Sequence, residues 1–400
     1  DLVAGSDWYT SRIGYAGADV GLLAEKRAAV LAYAHRDTPT TTNLDSQGRP
    51  FRVAQHNGVV DDAPVLHITK SVLDVQGNIL EVLYYLHDDV LDVMEERSAQ
   101  QTVHGMLGQP LKTLSTDAGN RVMLASVLGE PIRAWNDRGF ITRAVYDAAR
   151  RPTQQWVKPG VGSEQLVTFN VYGEQVADPE DSNLRGQLYR SYDSAGALTA
   201  ELFDFKGNLL RQNRRVVEDY TTTPDWADLA DEVTLGAIEA AAAALLESES
   251  FTTETTYDAL GRVKTQTTPN DSETEHVYDQ GGRLQAVQSK LRGAGSATEF
   301  IEQVEYDAKG QRQRVEFANE TTTAYTYDPR TLRVTRIKTD RGGINAATMQ
   351  DLKYTYDPAG NIVEIRDDAQ ETVYFSNAVV NPRQRYEYDV EANEEADGRV

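Results

Sequence analysis

Apolar and polar residues alternate with a period of two along most of this chain, and the alternation is cut at intervals by short acidic turns. The stretch 255–267 shows it most plainly. Thr255 and Tyr257 stand two apart before Asp258-Ala259-Leu260-Gly261, and Val263, Thr265 and Thr267 stand two apart after it. That is the period of a strand with one packed face, so the stretch predicts a β-hairpin. An Asp opening a type I turn bonds the backbone two residues on, and Gly at its end accepts φ > 0. The punctuation recurs at Tyr278-Asp279 with Gly282, Tyr306-Asp307 with Gly310, and Tyr356-Asp357 with Gly360, while Tyr327-Asp328 keeps the pair without the glycine. The tyrosines step by 21, 28, 21 and 29 residues, so one unit is repeated.

Earlier units are degenerate. Asp45 and Asp74 follow leucine, Tyr146-Asp147 has Arg150 where Gly is expected, and Thr116–Gly119 and Asn136–Gly139 read as shortened turns. Tyr192-Asp193 and Phe203-Asp204 lie 11 apart, one strand plus one turn, which predicts a meander. Eight strict Asp-x-x-Gly turns after Leu, Phe or Tyr, at Asp45, Asp74, Asp193, Asp204, Asp258, Asp279, Asp307 and Asp357, predict one continuous antiparallel strip. Tyrosines at one strand position are expected to stack on one another as a cross-strand ladder.

Three stretches break the pattern. Val20, Leu23, Ala24, Arg27, Ala28, Leu31 and Ala32 follow helical spacing, with Asp19 as cap, and predict an amphipathic helix over 18–35 packed on a sheet. Residues 79–97 fit either a strand or a strand followed by a helical insert. Leu229–Glu249 carries Ala240–Ala244 and predicts a short helix, laid on the outer side of the strip or linking two halves, with Pro224 suited to its start and Thr223 or Asp225 as cap. The expected layout is a helical entry segment 1–40, a degenerate hairpin strip 41–215, a helical insert 216–250, a regular strip 251–390, and an acidic disordered tail 391–400. The fold class is mainly β.

Composition narrows the chemistry. The 400 residues carry a net charge of −22, which argues against nucleic acid and anionic membranes as partners. There is no cysteine, so no disulfide and no Cys-ligated zinc. No apolar run approaches the ~20 residues of a membrane span. The chain opens on Asp1 without Met, as a piece of a longer protein would. His35, His56, His67, His87, His104 and His276 show no helical i, i+3 or i+4 pairing, so no helical metal site is indicated. Gly281-Gly282 and Gly342-Gly343 lack the context of a phosphate loop, no Gly-x-Ser-x-Gly elbow occurs, and Asp367-Asp368 is an ordinary acidic turn before it is a cation site. The turn aspartates are engaged with their own backbone. No catalytic, cofactor-binding or metal residue is therefore expected. Tyrosines on one sheet face leave sugar binding as an alternative use.

The Tyr-Asp-x-x-Gly units resemble the YD repeats of the RHS superfamily. The phrases Pro131–Trp135, Tyr146-Asp147 followed by Arg151-Pro152, Asn183–Gly186 and Phe203–Arg211 are similar to the RHS region of Tc insecticidal toxin B/C-type cocoon components and related plasmid virulence toxins. The resemblance runs over residues 18–389, nearly the whole chain. It implies a strip wound into part of a hollow shell in a secreted bacterial toxin complex. The implied partners are the rest of the shell, the cytotoxic C-terminal polypeptide it encloses, and a pore-forming component. The family's self-cleaving aspartate site belongs to a C-terminal motif, and nothing after Asp389 resembles it. By that resemblance the chain is structural, not an enzyme. The competing class is a carbohydrate- or receptor-binding adhesion module.

Overall fold

The computed structural model describes residues 3, 5–34, 36–60, 63–88, 93–376 and 378–386. Twenty-five strands form one antiparallel sheet. Each strand pairs with its neighbour in the chain, from Thr40–Leu44 to Ile362–Asp367, and Arg383–Arg385 adds the last strand after the small hairpin Val373–Phe375/Ala378–Val380. Among the described residues the first and last strands do not pair with each other, so the ribbon is open. Such order follows from local pairing alone. Most strands find their partner through a short turn, the insert before Phe251 and the hairpin before Arg383 being the long connections, and no crossover is required.

Residues 79–97 are all β where described. Ile79–Asp88 pairs with Val93–His104 from Glu81↔Gln101 to Asp88↔Val93, so the helical option falls. The regular hairpins at 188–216 form the meander: Leu188–Asp193, Gly196–Phe203 and Leu209–Val216 pair in succession.

Helices are few and lie at two places. Helix α1 is Asp7–Ile13 and α2 is Val20–Ala34. Asp19 Oδ1 accepts from the Leu22 amide at 2.9 Å, capping α2. Ala24, Ala28 and Ala29 are buried, and Arg27 Nη1 donates to the Val363 carbonyl at 3.2 Å. The helix near the N-terminus therefore rests on strands more than 300 residues later, around Ala347–Tyr356.

The second place is the insert between Val216 and Phe251. Its helix, α3, spans only Leu235–Ala242, with Thr234 as cap, and gives way to a tight turn of 3₁₀ helix at Ala243–Leu245. The alanine run gives the expected short helix, which ends where Leu246 leaves it to bridge Val217 and bury itself. Asp225 is not the cap. Its Oδ1 accepts from the Leu166 amide at 2.9 Å and ties the insert to the sheet. The chain's main apolar core lies here. Leu166, Phe169, Val171, Tyr192 and Ala197 of the sheet pack against Trp226, Leu229, Ile238 and Ala242 of the insert. The expected 391–400 tail, the Tyr388-Asp389 pair and His35 lie outside the described residues.

Candidate functional site

Antiparallel order puts alternate turns on opposite rims of the ribbon. Followed strand by strand, the turns opened by Asp45, Asp74, Asp147, Asp204, Asp258, Asp279, Asp307, Asp328 and Asp357 fall on one rim. Two more turns there, opened by Gly105 and Ser126, keep the same backbone bonds without an aspartate. Asp193 stands apart from these, as its spacing of one strand and one turn from Asp204 requires. It opens a two-residue turn on the other rim, where its carboxylate is held by Arg214 at 2.5 and 3.0 Å. Asn136 is also on that rim, and its Oδ1 takes the aspartate's part, accepting from the Arg138 and Phe140 amides.

The motif turns share one construction. At Asp258, Oδ1 accepts from the Leu260 and Arg262 amides, at 2.8 and 3.0 Å, and Oδ2 accepts from Arg262 Nε at 2.6 Å. The Gly261 amide donates to the Asp258 carbonyl and the glycine sits at φ +78°. That bond, the positive φ and the register shift beside Tyr257 make it a type I turn with a glycine bulge. Asp279 with Arg283, Asp204 with Asn208 and Asp357 with Asn361 repeat the two-oxygen clasp. At Asp307 the Lys309 and Gln311 amides bond Oδ1. The Asp328 turn is one residue longer, and Leu332 occupies the left-handed position at φ +62° instead of a glycine. Gly282, Gly310 and Gly360 hold the same place in their turns.

Each tyrosine reaches back to the preceding unit. Tyr278 Oη donates to the Val263 carbonyl at 2.8 Å, Tyr306 to Leu284 at 2.8 Å, Tyr327 to Arg312 at 2.8 Å, Tyr356 to Val334 at 2.7 Å and Tyr257 to Leu209 at 3.2 Å. Three of these rings also meet an arginine. Arg262 lies 4.2 Å from the Tyr278 centroid, Arg283 4.8 Å from Tyr306 and Arg333 5.7 Å from Tyr356. Among the described residues no ring pair joins two repeat tyrosines, so the expected tyrosine ladder is replaced by a tyrosine–arginine one. Two motif-rim neighbours are two strands apart, roughly 9–10 Å, which exceeds the 4.5–7 Å of a ring pair but suits an arginine. Burial pushes the Tyr327 and Tyr356 phenols above their ordinary range and keeps them as donors.

The two faces differ. Direct cross-strand pairs place Arg336, Lys338, Asp351, Lys353, Glu364, Arg366 and Arg385 on one face of the last strands. They form an ion-pair lattice: Arg336–Asp351 at 2.5 Å, Lys353–Asp368 at 2.5 Å and Arg385–Glu364 at 2.9 Å. Asp368 is thus spent on cations of the protein, and Asp367 Oδ1 accepts from the Asp351 amide. The same pairing carried back through Glu275, Glu254 and Ala197 shows that α2 and the insert sit on this one face. The opposite face carries Val304, Val315, Thr323, Tyr325, Ile337, Tyr354 and Ile365. There Ser289, Val304, Val315 and Thr323 are buried although neither α2 nor the insert lies over them.

Among the described residues no group of three or more His, Cys, Asp or Glu gathers to hold a metal, and no helix is long and apolar enough to cross a membrane. His56, His104 and His276 stand on three separate strands. Two depressions of about 330 and 310 Å³ are open hollows of the sheet, lined by residues such as Trp135, Phe140 and Met123 in one and Ile132, Tyr146 and Gln154 in the other.

A one-layer ribbon of hairpins, clasped along one rim by a Tyr-Asp-x-x-Gly unit, defines an RHS-type repeat strip. The RHS repeat family matches residues 257–294. Toxin subunit YenC2 of Yersinia entomophaga is 30% identical over 372 residues, covering 88% of this chain and 37% of that protein. YenC1 of the same organism is 28% identical over 357 residues, covering 80% and 36%. The chain therefore spans little more than a third of the relatives it matches. The crystal structure of TcdB2-TccC3 superposes with a TM-score of 0.77 at 27% identity, over 91% of this chain and 17% of that one. The Photorhabdus luminescens Tc holotoxin pore gives 0.75 at 27%, over 89% and 16%. The chain is an RHS/YD-repeat protein resembling the RHS region of Tc toxin B/C-type components.

Proposed function

We propose that this chain is a segment of shell wall in a secreted bacterial toxin complex, where it encloses a cytotoxic polypeptide and adjoins a pore-forming component. The observation that carries the reading is the ribbon itself. Twenty-five strands run in one layer, in chain order, and the helix at one end rests on strands at the other. A ribbon bent far enough to bring its ends together surrounds space. Its similarity to Tc toxin subunits over most of its length supports the same use. On this reading the helix-free face, whose small side chains are buried by their own neighbours, is the concave side toward the enclosed polypeptide. The face with the helices and the ion-pair lattice meets solvent. The segments 1–40, 41–215, 216–250 and 251–390 then act as one wall with a helical buttress at 216–250.

The wall reading gives the chain no enzymatic part, and its clasped aspartates agree with that. A sugar-binding use needs free ring faces. Tyr278, Tyr306 and Tyr356 spend theirs on arginines and their hydroxyls on carbonyls. The test is limited proteolysis of the complete shell protein co-produced with its toxic polypeptide. The enclosed polypeptide is expected to survive until the shell is unfolded. Equal digestion of the polypeptide with and without an intact shell would overturn the reading.

A further inference from the structure

Successive turns of the motif rim are tied to one another by side chains. The residue that closes one turn reaches forward into the next. Arg49 Nη1 donates to the Asp74 carbonyl at 3.4 Å, Arg283 Nη1 to the Asp307 carbonyl at 3.3 Å, and Arg333 to the Asp357 and Ala359 carbonyls at 3.4 and 3.0 Å. Gln311 Nε2 does the same to the Leu332 carbonyl at 2.9 Å. Elsewhere a neighbour takes the part: Lys206 Nζ bonds the Ala259 carbonyl at 2.5 Å, and Asn183 Nδ2 the Phe203 carbonyl at 2.8 Å. Tyrosine hydroxyls add a second tie, backward. Tyr146 reaches the Pro131 carbonyl at 2.8 Å and Tyr172 the Pro152 carbonyl at 3.1 Å, like the repeat tyrosines after them.

Two consecutive steps carry neither tie. Among the described residues, no side-chain bond joins the turn at Asp74 to the turn at Gly105, or that turn to the one at Ser126. The cause lies in the residues. Asn78 spends its Nδ2 on Asp74 and Gln76 of its own turn, and Gln109 spends its Oε1 on the Leu107 amide of its own. Leu73, His104 and Ala125 stand where a tyrosine reaches back elsewhere. The other rim of the same strands is tied: Thr116 Oγ1 donates to the Ser98 carbonyl at 2.7 Å, and the Asp137 carboxylate accepts from the Asn120 amide. Ladder bonds fix the spacing of strands but leave the twist between neighbours a range of roughly −10 to −35°. Rim ties narrow that range. We propose that Ile79–Asp88, Val93–His104, Pro110–Ser115 and Gly119–Ala125 form a hinge panel, where the ribbon bends about its tied second rim between two stiffer stretches. The hinge is a property of the ribbon and does not depend on the shell reading. In a shell wall, the panel is where curvature changes.

The test is a spin-label distance measurement on the complete protein. The 400 residues contain no cysteine, and any outside them is replaced. The pair Gln76→Cys, Ala149→Cys spans three rim steps, two of them untied. The pair Gln280→Cys, Ala359→Cys spans three tied steps at the same separation, roughly 29 Å for six strand spacings. All four positions are exposed turn centres. The first pair is expected to give a distance distribution about twice as broad as the second. Equal widths overturn the hinge. Asn78→Arg with Gln109→Arg supplies the missing forward ties and is expected to narrow the first pair toward the second. Gln311→Ala with Arg333→Ala is expected to broaden the second pair. If neither width moves, ties do not set the stiffness and the inference falls. Amide exchange separates bending from melting: a broad first pair with lost ladder protection over 93–125 means local unfolding, and also overturns the hinge.

Discussion

One carboxylate in each of nine motif-rim turns, from Asp45 to Asp357, sets the local shape of this chain, and its work is electrostatic as well as geometric. The Arg49, Arg262 and Arg283 backbone amides hold Asp45, Asp258 and Asp279 below the usual carboxylate range, and the Asn78 and Asn208 side-chain amides do the same for Asp74 and Asp204. A carboxyl depressed in the fold stabilises it at every pH above the unfolded value, and the contribution is lost as pH falls through the lower folded value. Stability is therefore expected to hold down to about pH 4, the ordinary Asp range, and to fall steadily below it. Urea midpoints between pH 2 and 6 check this, and the double variant Asp258→Asn, Asp279→Asn is expected to show a lower midpoint at pH 6 and a shallower acid limb. An unchanged limb in the double variant would remove the clasp from the account. Tyr278→Phe is expected to cost about 1 kcal/mol, the worth of one part-buried hydrogen bond, with the ring–arginine contact kept. Arg150 stands at φ +64° where other units have Gly, and its ion pair to Glu130 is long and exposed at 3.5 Å. Arg150→Gly should thus stabilise by about 0.5 kcal/mol, relief of the left-handed strain outweighing glycine's entropy. The hairpin turns were legible from Asp-x-x-Gly alone. The arginine's double role was not, although the signal was there: Arg49, Asn78, Arg151, Asn208, Arg262, Arg283, Gln311 and Asn361 form a column of long polar residues four after the aspartate.

Elements in this ribbon are held mostly by their neighbours, and the insert is the exception. Trp226 is fully buried, its Nε1 donates to the Asp193 carbonyl at 3.1 Å, and its ring lies 5.2 Å from Tyr192. Trp226→Ala is expected to cost about 3–5 kcal/mol, at the upper end if the cavity stays open. Hydrogen exchange should localise the loss to the strands Gln165–Tyr172 and Leu188–Phe203 and leave 273–327 protected, because repeat units share stability only with adjoining ones. A uniform loss of protection would contradict that locality. Propensity found the element here but not its bounds. The alanine run reads as a short helix, and α3 ends where Leu246 must face the sheet, while the cap is Thr234 because Asp225 is needed at Leu166. Tertiary demand overrode local preference at both ends, which one sequence does not display. The 79–97 stretch failed differently: its alternation is strand-like, but its acids and leucines also satisfy a helix, and only the pairing with 93–104 decides.

At the scale of the molecule, the contact that turns a ribbon into a wall is the one least visible in the sequence, since Arg27 and Val363 lie 336 residues apart. What the sequence does carry is its means: α2 buries alanines, at positions 24, 28 and 29, and small side chains allow a helix axis to approach a sheet closely. That approach brings α2 onto the ion-pair face beside Arg366, with Arg27 on the Val363 carbonyl next to the buried Glu364, whose partner Arg385 stands 2.9 Å away. Enlarging the contact should lift the helix without touching any turn. Ala28→Leu is expected to cost about 1–3 kcal/mol by overpacking. It should raise amide exchange in α2 and in 347–367, and leave the motif rim at 258–311 unchanged. Solution scattering should then report a larger radius of gyration, as the two ends of the ribbon part. The conservative Ala28→Ser, which fits the same space, is expected to do neither. If Ala28→Leu loosens the rim turns as much as the helix contact, curvature is a property of the hairpins themselves and α2 merely rests on a bend made without it.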